Sequence, residues 1–317
     1  MRTYVLRRIL LALPTLVGIT MVVFGAVRFL PGNVLDSLLG VDAHLINAET
    51  RSEMEKRYGF NQNIASQYVV WIDDLGHGNL GRSFISGRPV LMDLGPRVPV
   101  TVELSLLGII ISLLISLPVG MLAAVKQNSL IDYVARSISI ASLSIPSFWL
   151  GLVVIVFGFI LFRWTPPLQY TPPWQDLGTN LKILWVPALI LGTALSGITM
   201  RYTRTTMLDI LSLDYVRTGR SKGLTERIVV LRHALPNALI PVVTVVGLQV
   251  PLLVGGTVVL EQIFSIPGMG SYLLNSIQQR DYPVVQAIVL MTAAVVVLTN
   301  LLVDLAYAVL DPRIEYS

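Results

Sequence analysis

Leu104–Val125, with the sequence LSLLGIIISLLISLPVGMLAAV, decides the fold because its 22 residues carry no charged side chain. A helix needs about 18 to 20 apolar residues to cross the hydrocarbon core of a membrane. Five further charge-free runs reach this length, and they are Ile9–Val27, Ser137–Phe162, Ile183–Met200, Ala234–Leu260 and Tyr282–Val303. The sequence therefore predicts an all-α polytopic membrane protein with six transmembrane helices.

The composition of the whole chain agrees with this class. Hydrophobic residues make up 54% of the sequence and charged residues 13%, with a mean hydropathy of +0.70. Ordinary soluble domains are far more polar. The absence of cysteine excludes a disulfide framework, a thiolate metal site and a cysteine nucleophile. The basic residues are not interleaved with aromatic residues, which argues against nucleic-acid binding.

Every apolar run contains proline or glycine. We expect the membrane helices to tolerate them, since neighbouring helices can satisfy the carbonyls that a proline frees. The first run follows Arg2, Arg7 and Arg8, but no small-residue cleavage pattern comes after it. It is interpreted as an uncleaved first helix rather than a signal peptide.

The basic residues in the short loops predict the orientation, because cytoplasmic loops are enriched in lysine and arginine. With a cytoplasmic N-terminus, the inside segments 1–8, 126–136, 201–233 and the tail from 304 carry three, two, seven and one basic residues. The short outside loops 163–182 and 261–281 carry two and one. The N-terminus, the C-terminus and the 201–233 segment are thus predicted to be cytoplasmic, in a cytoplasmic (inner) membrane.

Three parts of the chain follow from this topology. Residues 1–30 form the N-terminus and first helix, residues 31–98 an extracytoplasmic loop region, and residues 99–317 the core with five transmembrane helices. The loop region is predicted to be small and mainly helical, with helices at Ala48–Tyr58 and Ile64–Leu75, a turn-rich stretch and an apolar segment at Pro89–Leu94. About 70 residues form a cap on the helix ends rather than an independent domain.

A basic, glycine-containing insert lies between the fourth and fifth runs, with the sequence DYVRTGRSKGL at 214–224. Asp214 is predicted to be the N-cap of a helix over Tyr215–Lys222. Gly223 stands where a helix ends in the left-handed conformation. Thr225 is a candidate cap for a second helix start, and Pro236 fits the bend into the next span.

The spacing from Gly223 to His233-Ala234-Leu235-Pro236 resembles the cytoplasmic signature loop of ABC importer permeases. The first three positions of that signature fall on Arg217, Thr218 and Gly219. The resemblance implies that this loop, residues 201–238, docks onto an ATPase subunit. The docking residues it implies are Asp214, Tyr215, Arg217, Thr218, Gly219, Lys222, Gly223, His233 and Pro236.

Other motifs are similar to the oligopeptide/dipeptide permease family in its first-subunit type. They span nearly the whole chain: Leu6–Ile9 with Pro14-Thr15, Leu30–Gly32, Tyr58–Phe60, Gly78–Ser83, Arg88–Val90, Pro267–Gly270, Arg280–Gln286 and Leu310–Arg313. The family more often has alanine at Gly219 and Ser221. Glycine lowers helix propensity by about 1 kcal/mol relative to alanine, which puts in question how firmly the docking helix forms alone.

Membership would imply the architecture of a type I ABC importer permease and a division of labour. The partners implied are a second homologous permease, two ATP-binding subunits and an extracytoplasmic solute-binding protein that delivers peptide. The chain has no GxxxxGK[ST] phosphate loop, so ATP and Mg are expected on the partners and no cofactor on this non-catalytic chain. Transport would proceed by alternating access.

Three alternatives are open at this point. An ion-coupled secondary transporter would place ionisable residues at mid-membrane, but Arg28, Glu103, Glu261 and Asp304 lie at run ends and are predicted to be interfacial anchors. An intramembrane enzyme lacks a recognisable motif. A nickel-type permease of the same family is the third, although His44, His77 and His233 form no apparent ligand cluster.

Residues along the pathway are less specified. Polar residues inside apolar runs are candidates for a lining that contacts peptide backbone, although such residues also bond neighbouring helices. The candidates are Ser105, Ser144, Ser147, Gln249 and Asn300. The outside turn Pro267, Gly268, Met269 and Gly270, followed by a helix at Ser271–Gln279, is a candidate gate or contact for the binding protein.

Overall fold

The computed structural model describes residues 2–29 and 62–310, and these residues are mainly helical. The predicted helix at Ala48–Tyr58 lies outside the described residues. In chain order the helices are α1 (Arg2–Phe29), α2 (Ile64–Gly76), α3 (Val90–Leu94), α4 (Val98–Val125), α5 (Leu130–Ser144), α6 (Ser147–Phe162), α7 (Leu177–Leu211), α8 (Asp214–Ser221), α9 (Glu226–Ile228), α10 (Leu235–Leu248), α11 (Val250–Ile263), α12 (Met269–Gln278) and α13 (Tyr282–Leu310). A π-helical turn, Val229–Ala234, joins α9 to α10.

Several of these helices are long and apolar enough to cross a membrane. Within the described ranges there are four such stretches: Val90–Val125, Leu177–Leu211, Glu226–Leu248 and Tyr282–Leu305. The bent pair α5 and α6 adds a fifth if it counts as one span, and α1 contributes a shorter apolar segment, Leu10–Ala26. The all-α polytopic class is confirmed, whereas the predicted count of six is not reproduced.

The third apolar run is broken at Pro146. α5 ends at Ser144, α6 begins at Ser147, and the two helix axes differ by 96°. Proline has no amide hydrogen and disfavours the helical conformation in the residue before it, and Ile145 is accordingly extended, with φ −90° and ψ 117°. The expectation of an unbroken helix was wrong here. Prolines elsewhere lie inside helices as expected, at Pro14, Pro118, Pro187 and Pro241.

The fifth run is also divided. α10 ends and α11 begins on either side of Gln249. Pro251 follows in the first turn of α11, where the missing amide hydrogen costs no intrahelical bond. The stretch Ala234–Leu260, predicted as one span, is thus covered by two helices.

α4 and α7 pack along their length and form the centre of the described bundle. Leu104, Leu184 and Leu191 belong to one buried apolar cluster between them. Close approach depends on glycine, since a Cβ on Gly192 would lie 2.6 Å from Ile111 Cγ2 and 2.9 Å from the carbonyl oxygen of Gly108. Small residues at such contacts are the usual means of bringing membrane helices together.

The described part of the predicted extracytoplasmic region packs on the ends of these helices. Val90 and Leu94 of α3 are buried against Val284 and Ile288 of α13. Asp281 also holds this region, because its carboxylate accepts hydrogen bonds from Ser83 Oγ at 2.5 Å and from the Phe84 amide at 2.9 Å. The expectation that this region caps the bundle is confirmed for these residues.

Tyr272 of α12 completes this cap. Its hydroxyl donates to Asp93 Oδ2 at 3.2 Å, and the Arg97 guanidinium lies 4.1 Å from the centroid of its ring. Burial, followed by the negative charge of Asp93, raises the pKa of Tyr272 to about 12. The phenol therefore remains a hydrogen-bond donor at any physiological pH.

The first helix is fixed at both ends. Near one end, Thr20 Oγ1 lies 2.7 Å from the Tyr68 hydroxyl. Tyr68 belongs to α2, and the presence of α2 confirms the helix predicted at Ile64–Leu75. Towards the other end, the guanidinium of Arg8 lies 2.7 Å from Asp304 Oδ2 on α13. α1 and α13 are thus antiparallel neighbours, with the start of α1 and the end of α13 at the same end of the bundle.

We predict that Gly192→Ala destabilises the protein despite the better helix propensity of alanine. The new methyl group would meet a backbone oxygen that cannot move aside, and overpacking of this kind costs about 1–3 kcal/mol. Thermal unfolding of the purified protein in detergent measures the effect. Gly255→Ala is the matched control, because a Cβ there has no atom within 4 Å. Equal melting temperatures for the two variants would contradict the prediction.

Candidate functional site

The predicted docking helix is present as α8, Asp214–Ser221, but its N-cap is Leu213. Leu213 has extended backbone angles, φ −73° and ψ 149°, and Asp214 already belongs to the first turn. The Asp214 side chain is 97% exposed and lies 3.7 Å from the Arg217 guanidinium. The prediction of Asp214 as N-cap was therefore wrong by one position. A carboxylate in the first turn still favours the helix through its dipole.

The end of α8 is as predicted. Gly223 has φ +80°, the left-handed conformation that glycine adopts without penalty. The Gly223 amide donates to the Arg220 carbonyl at 2.9 Å, and the Leu224 amide donates to the Gly219 carbonyl at 3.4 Å. These two bonds form a Schellman motif, with Lys222 as the C-cap.

One side chain anchors α8 to the bundle. Val216 is fully buried in a cluster with Met207 and Ile210 of α7 and with Val229 and Val230 of the π turn. Most of the other side chains of α8 are exposed. The helix therefore presents a polar surface to its surroundings, and Val216 is its buried apolar contact with the bundle.

A second contact closes the insert. Arg220 donates to both carboxylate oxygens of Glu226, at 2.7 and 3.1 Å, across the turn at Gly223. A bidentate arginine–carboxylate pair adds directional restraint as well as attraction. Thr225 is the N-cap residue of α9, as predicted, although its side chain makes no capping bond.

Tyr215 connects α8 to the start of the next span. Its hydroxyl accepts a bond from Asn237 Nδ2 at 3.1 Å, and the same amide donates to the His233 carbonyl at 2.9 Å. Pro236 is in the first turn of α10, where it follows the π turn instead of bending the chain away from a helix. The structure thus brings Tyr215, His233 and Pro236 into one neighbourhood.

Sequence reasoning missed three residues of this site: Val216, Glu226 and Asn237. Val216 had a usable signal, because it is the one aliphatic residue within α8. Glu226 and Asn237 gave no such signal, because their partners, Arg220 and Tyr215, lie on the other side of the turn at Gly223. Their roles depend on how the insert folds back on itself.

The turn at 267–270, predicted to lie on the outside, is held by buried polar side chains. Gly268 is the N-cap of α12 and has no side chain to accept the first amides. Thr101 Oγ1 instead accepts from the Met269 amide at 2.8 Å, and Glu261 accepts from the Ser271 amide at 2.8 Å. Thr101 also donates to Glu261 at 2.6 Å. Side chains from α4 and α11 together cap α12.

This arrangement corrects the prediction that Glu261 is an interfacial anchor. Glu261 is fully buried, and a Cβ on Gly268 would overlap its carboxylate. Glu103 is likewise engaged, because Glu103 Oε2 accepts from the Tyr170 hydroxyl at 2.8 Å and from Asn180 Nδ2 at 3.2 Å. Position at the end of an apolar run did not reveal that later segments fold back over these carboxylates.

The candidate pathway residues are distributed over the described bundle. The hydroxyls of Ser105 and Ser144 donate to carbonyls one turn earlier in their own helices. Ser147 lines a cavity of about 240 Å³ at the break between α5 and α6. Gln249 is buried and donates to Thr199 Oγ1 at 2.9 Å, whereas Asn300 lines a separate cavity of about 190 Å³ beside α1. A pathway role for these five residues stays a prediction.

No group of three histidine, cysteine or acidic residues that could hold a metal ion occurs within residues 2–29 and 62–310. The expectation that ATP and Mg bind partner subunits stays a prediction as well.

We predict that Thr101→Val loosens the turn at 267–270. Valine has nearly the shape of threonine but leaves the Met269 amide without an acceptor and Glu261 without one donor, at a cost of about 1–3 kcal/mol. Limited proteolysis in the 264–282 loop and the melting temperature both report the change. Ser105→Ala, one turn along α4, is the control because its hydroxyl bonds only within that helix. Unchanged protease resistance in Thr101→Val would count against the capping role.

Comparison with known protein sequences identifies the family of this chain. The model of the binding-protein-dependent transport system inner membrane component family matches residues 116–316. The oligopeptide transport system permease protein AppB of Bacillus subtilis is 40% identical, and the dipeptide transport system permease protein DppB of Escherichia coli is 38% identical. The glutathione transport system permease protein GsiC of Escherichia coli is 35% identical. Each alignment covers 100% of both chains. The chain therefore belongs to the binding-protein-dependent transport system inner membrane component family.

Proposed function

We propose that this chain is a membrane-spanning permease subunit of an ATP-driven ABC importer for di- and oligopeptides. Full-length similarity to permeases named for dipeptide and oligopeptide transport supports the substrate class. The apolar spans supply the transport pathway, and the absence of a phosphate loop supports a non-catalytic role. None of the relatives reported above is named for nickel, and no described residue favours that alternative.

The proposed assembly contains a second homologous permease, two ATP-binding subunits and an extracytoplasmic binding protein. ATP and Mg would bind the ATPase subunits. The loaded binding protein would deliver peptide to the extracytoplasmic side, and ATP binding and hydrolysis would drive the two permeases between outward-open and inward-open states. Membrane lipid surrounds the spans.

The proposed orientation has both termini and the insert on the cytoplasmic side. The basic residues of the short loops favour it. The Arg8–Asp304 pair adds geometric support, because it places the outer ends of α1 and α13 together. On the opposite end of α1, the contact between Thr20 and Tyr68 agrees with an extracytoplasmic location of α2.

The observation that carries the proposal is how α8 packs against the rest of the protein. The helix and its C-cap expose Tyr215, Arg217 and Lys222, while Val216 packs between α7 and the π turn that leads into α10. A push on the exposed face is therefore transmitted through Val216 to two spans at once. This packing suits a subunit that receives force from an ATPase and transmits it to the helices of the transport pathway.

A secondary transporter is the competing class, since Glu261 is a buried carboxylate of the kind that proton-coupled carriers use. Both of its oxygens, however, have partners, because Oε1 accepts from Thr101 and Oε2 from the Ser271 amide. These bonds account for Glu261 as the cap of α12. No proton pathway is needed to explain its burial.

We predict that a single cysteine at Lys222 crosslinks to an ATPase subunit in the assembled complex. The chain has no native cysteine, so Lys222→Cys gives one defined attachment point. A short bifunctional reagent followed by gel analysis and mass spectrometry identifies the partner. Arg163→Cys, placed in a predicted outside loop, is the control that should give no such product. Equal crosslinking from both positions, or none from Lys222→Cys in an intact complex, would refute docking at α8.

We also predict opposite effects for two glycine substitutions in α8 and its cap. Gly223→Val forces a β-branched residue into a left-handed conformation, at a cost of about 1–2 kcal/mol or more, and should reduce peptide uptake per ATP hydrolysed. Gly219→Ala should keep uptake and strengthen the helix by up to about 1 kcal/mol. The new methyl group at 219 would lie 3.7 Å from Leu224 and 3.9 Å from Val229, which are ordinary contacts.

Both variants are measured in proteoliposomes as peptide uptake and ATPase activity of the same preparation. The ratio of the two activities separates loss of coupling from loss of protein. Wild-type coupling in Gly223→Val, or a coupling defect in Gly219→Ala, would contradict the proposed role of the α8 geometry.

A further inference from the structure

A cavity of about 370 Å³ lies between α5 and α7, away from both α8 and the outside turn. The cavity is lined by three arginines, Arg136, Arg201 and Arg204, and also by Ala135 and Met200. Its volume falls in the lower range of small-molecule sites. Neither the docking helix nor the candidate pathway residues contribute to its lining.

The charges around this cavity are not balanced. Asp132 is fully buried and accepts from Arg204 at 2.6 and 2.8 Å and from the Asn128 amide at 3.0 Å. These bonds occupy Asp132, and Arg136 reaches the same carboxylate only at 3.4 Å. Among the described residues, no acidic side chain lies within 4 Å of the Arg201 guanidinium. The cavity therefore keeps an excess of positive charge.

The mouth of the cavity has the features of a membrane–water boundary. Tyr133 and Tyr202, next to the cavity in sequence, are 55% and 45% exposed, and tyrosines concentrate at such boundaries. The Arg136 guanidinium lies 4.5 Å from the centroid of the Tyr133 ring. Ile140, on the cavity wall, is 65% exposed. An apolar chain beside Ile140 and an anion near the arginines would suit this surface.

We propose that this cavity binds the phosphate headgroup of an anionic phospholipid. Guanidinium groups match phosphate oxygens in bidentate geometry, and basic pockets between membrane helices on the cytoplasmic side recognise such headgroups. A free phosphate anion shares this chemistry, but the exposed apolar wall at Ile140 favours a ligand with an acyl chain. The assignment to the cytoplasmic leaflet rests on the orientation given under the proposed function.

The test uses the assembled importer and photoactivatable phosphatidylglycerol, with the phosphatidylcholine analogue as the zwitterionic comparison. Mass spectrometry should locate the phosphatidylglycerol label on residues 133–140 and 200–205. The double variant Arg136→Gln/Arg201→Gln should bind it roughly 30-fold more weakly, because each basic residue near an anionic lipid contributes a factor of about five. Arg204 is left intact because it holds Asp132.

Two controls separate charge recognition from misfolding. Arg136→Lys/Arg201→Lys keeps the charges and should retain most of the labelling. Lys126→Gln removes a charge from the neighbouring loop without touching the cavity and should label like the unchanged protein. Equal labelling by both lipids, label outside the cavity, or wild-type labelling of the double glutamine variant would each overturn the proposal. Binding of inorganic phosphate at the cavity together with no labelling there by phosphatidylglycerol would overturn it in favour of a free anion.

This test needs neither peptide nor ATP, so its result does not depend on whether the chain transports peptides. The leaflet is checked separately with Lys126→Cys, an exposed position outside the proposed docking helix, and a membrane-impermeant maleimide. Reaction only after the cytoplasmic face is opened supports the assignment to that leaflet. Reaction in intact cells would overturn the assignment.

Discussion

The hydrogen-bonding demand of the backbone inside a membrane is the constraint on which the rest of this structure depends. Lipid offers no partner for an amide or carbonyl group, so irregular backbone is tolerated only where protein supplies the missing bonds. The turn before α12 is predicted to lie outside the membrane, but Gly268 and Gly270 are buried, so its backbone meets the same demand. Gly268 brings the chain close to Glu261 but caps nothing itself, and Thr101 and Glu261 accept the Met269 and Ser271 amides in its place. A buried carboxylate is thereby explained as a structural acceptor.

The same constraint explains where sequence reasoning succeeded. Long charge-free runs predicted the helices, because a continuous helix satisfies its own backbone and needs only an apolar surface. Gly223 and the helix following Pro267–Gly270 were also predictable, since a left-handed cap and a proline–glycine turn are local properties of the chain. In each of these cases the residues that decide the conformation lie within one or two turns of it.

Failures came where the partner is distant in sequence. Pro146 breaks its run whereas Pro118 and Pro187 lie inside helices, so the presence of proline did not by itself predict where a run breaks. Glu261 looked interfacial because the segment that buries it comes later in the chain. The cavity with the three arginines was invisible for the same reason, since it joins positions 136 and 201 from different helices. Such features depend on which helices become neighbours.

The proposed docking helix, α8, combines both kinds of determinant. A Cβ at Gly219 would point toward Leu224 and Val229, into the insert and away from its open face, so glycine is not required there to let another protein approach. Glycine at position 219 lowers the helix propensity and is not needed to avoid a steric clash. The position of α8 consequently relies on the Val216 anchor, the Arg220–Glu226 pair and the Schellman bonds at Gly223. Val216 and Tyr215, which is bonded to Asn237, hold the first turn from its inner side, whereas Leu213 caps it without a side-chain acceptor. The free amides at the start of α8 are therefore what a bound partner would have most to stabilise.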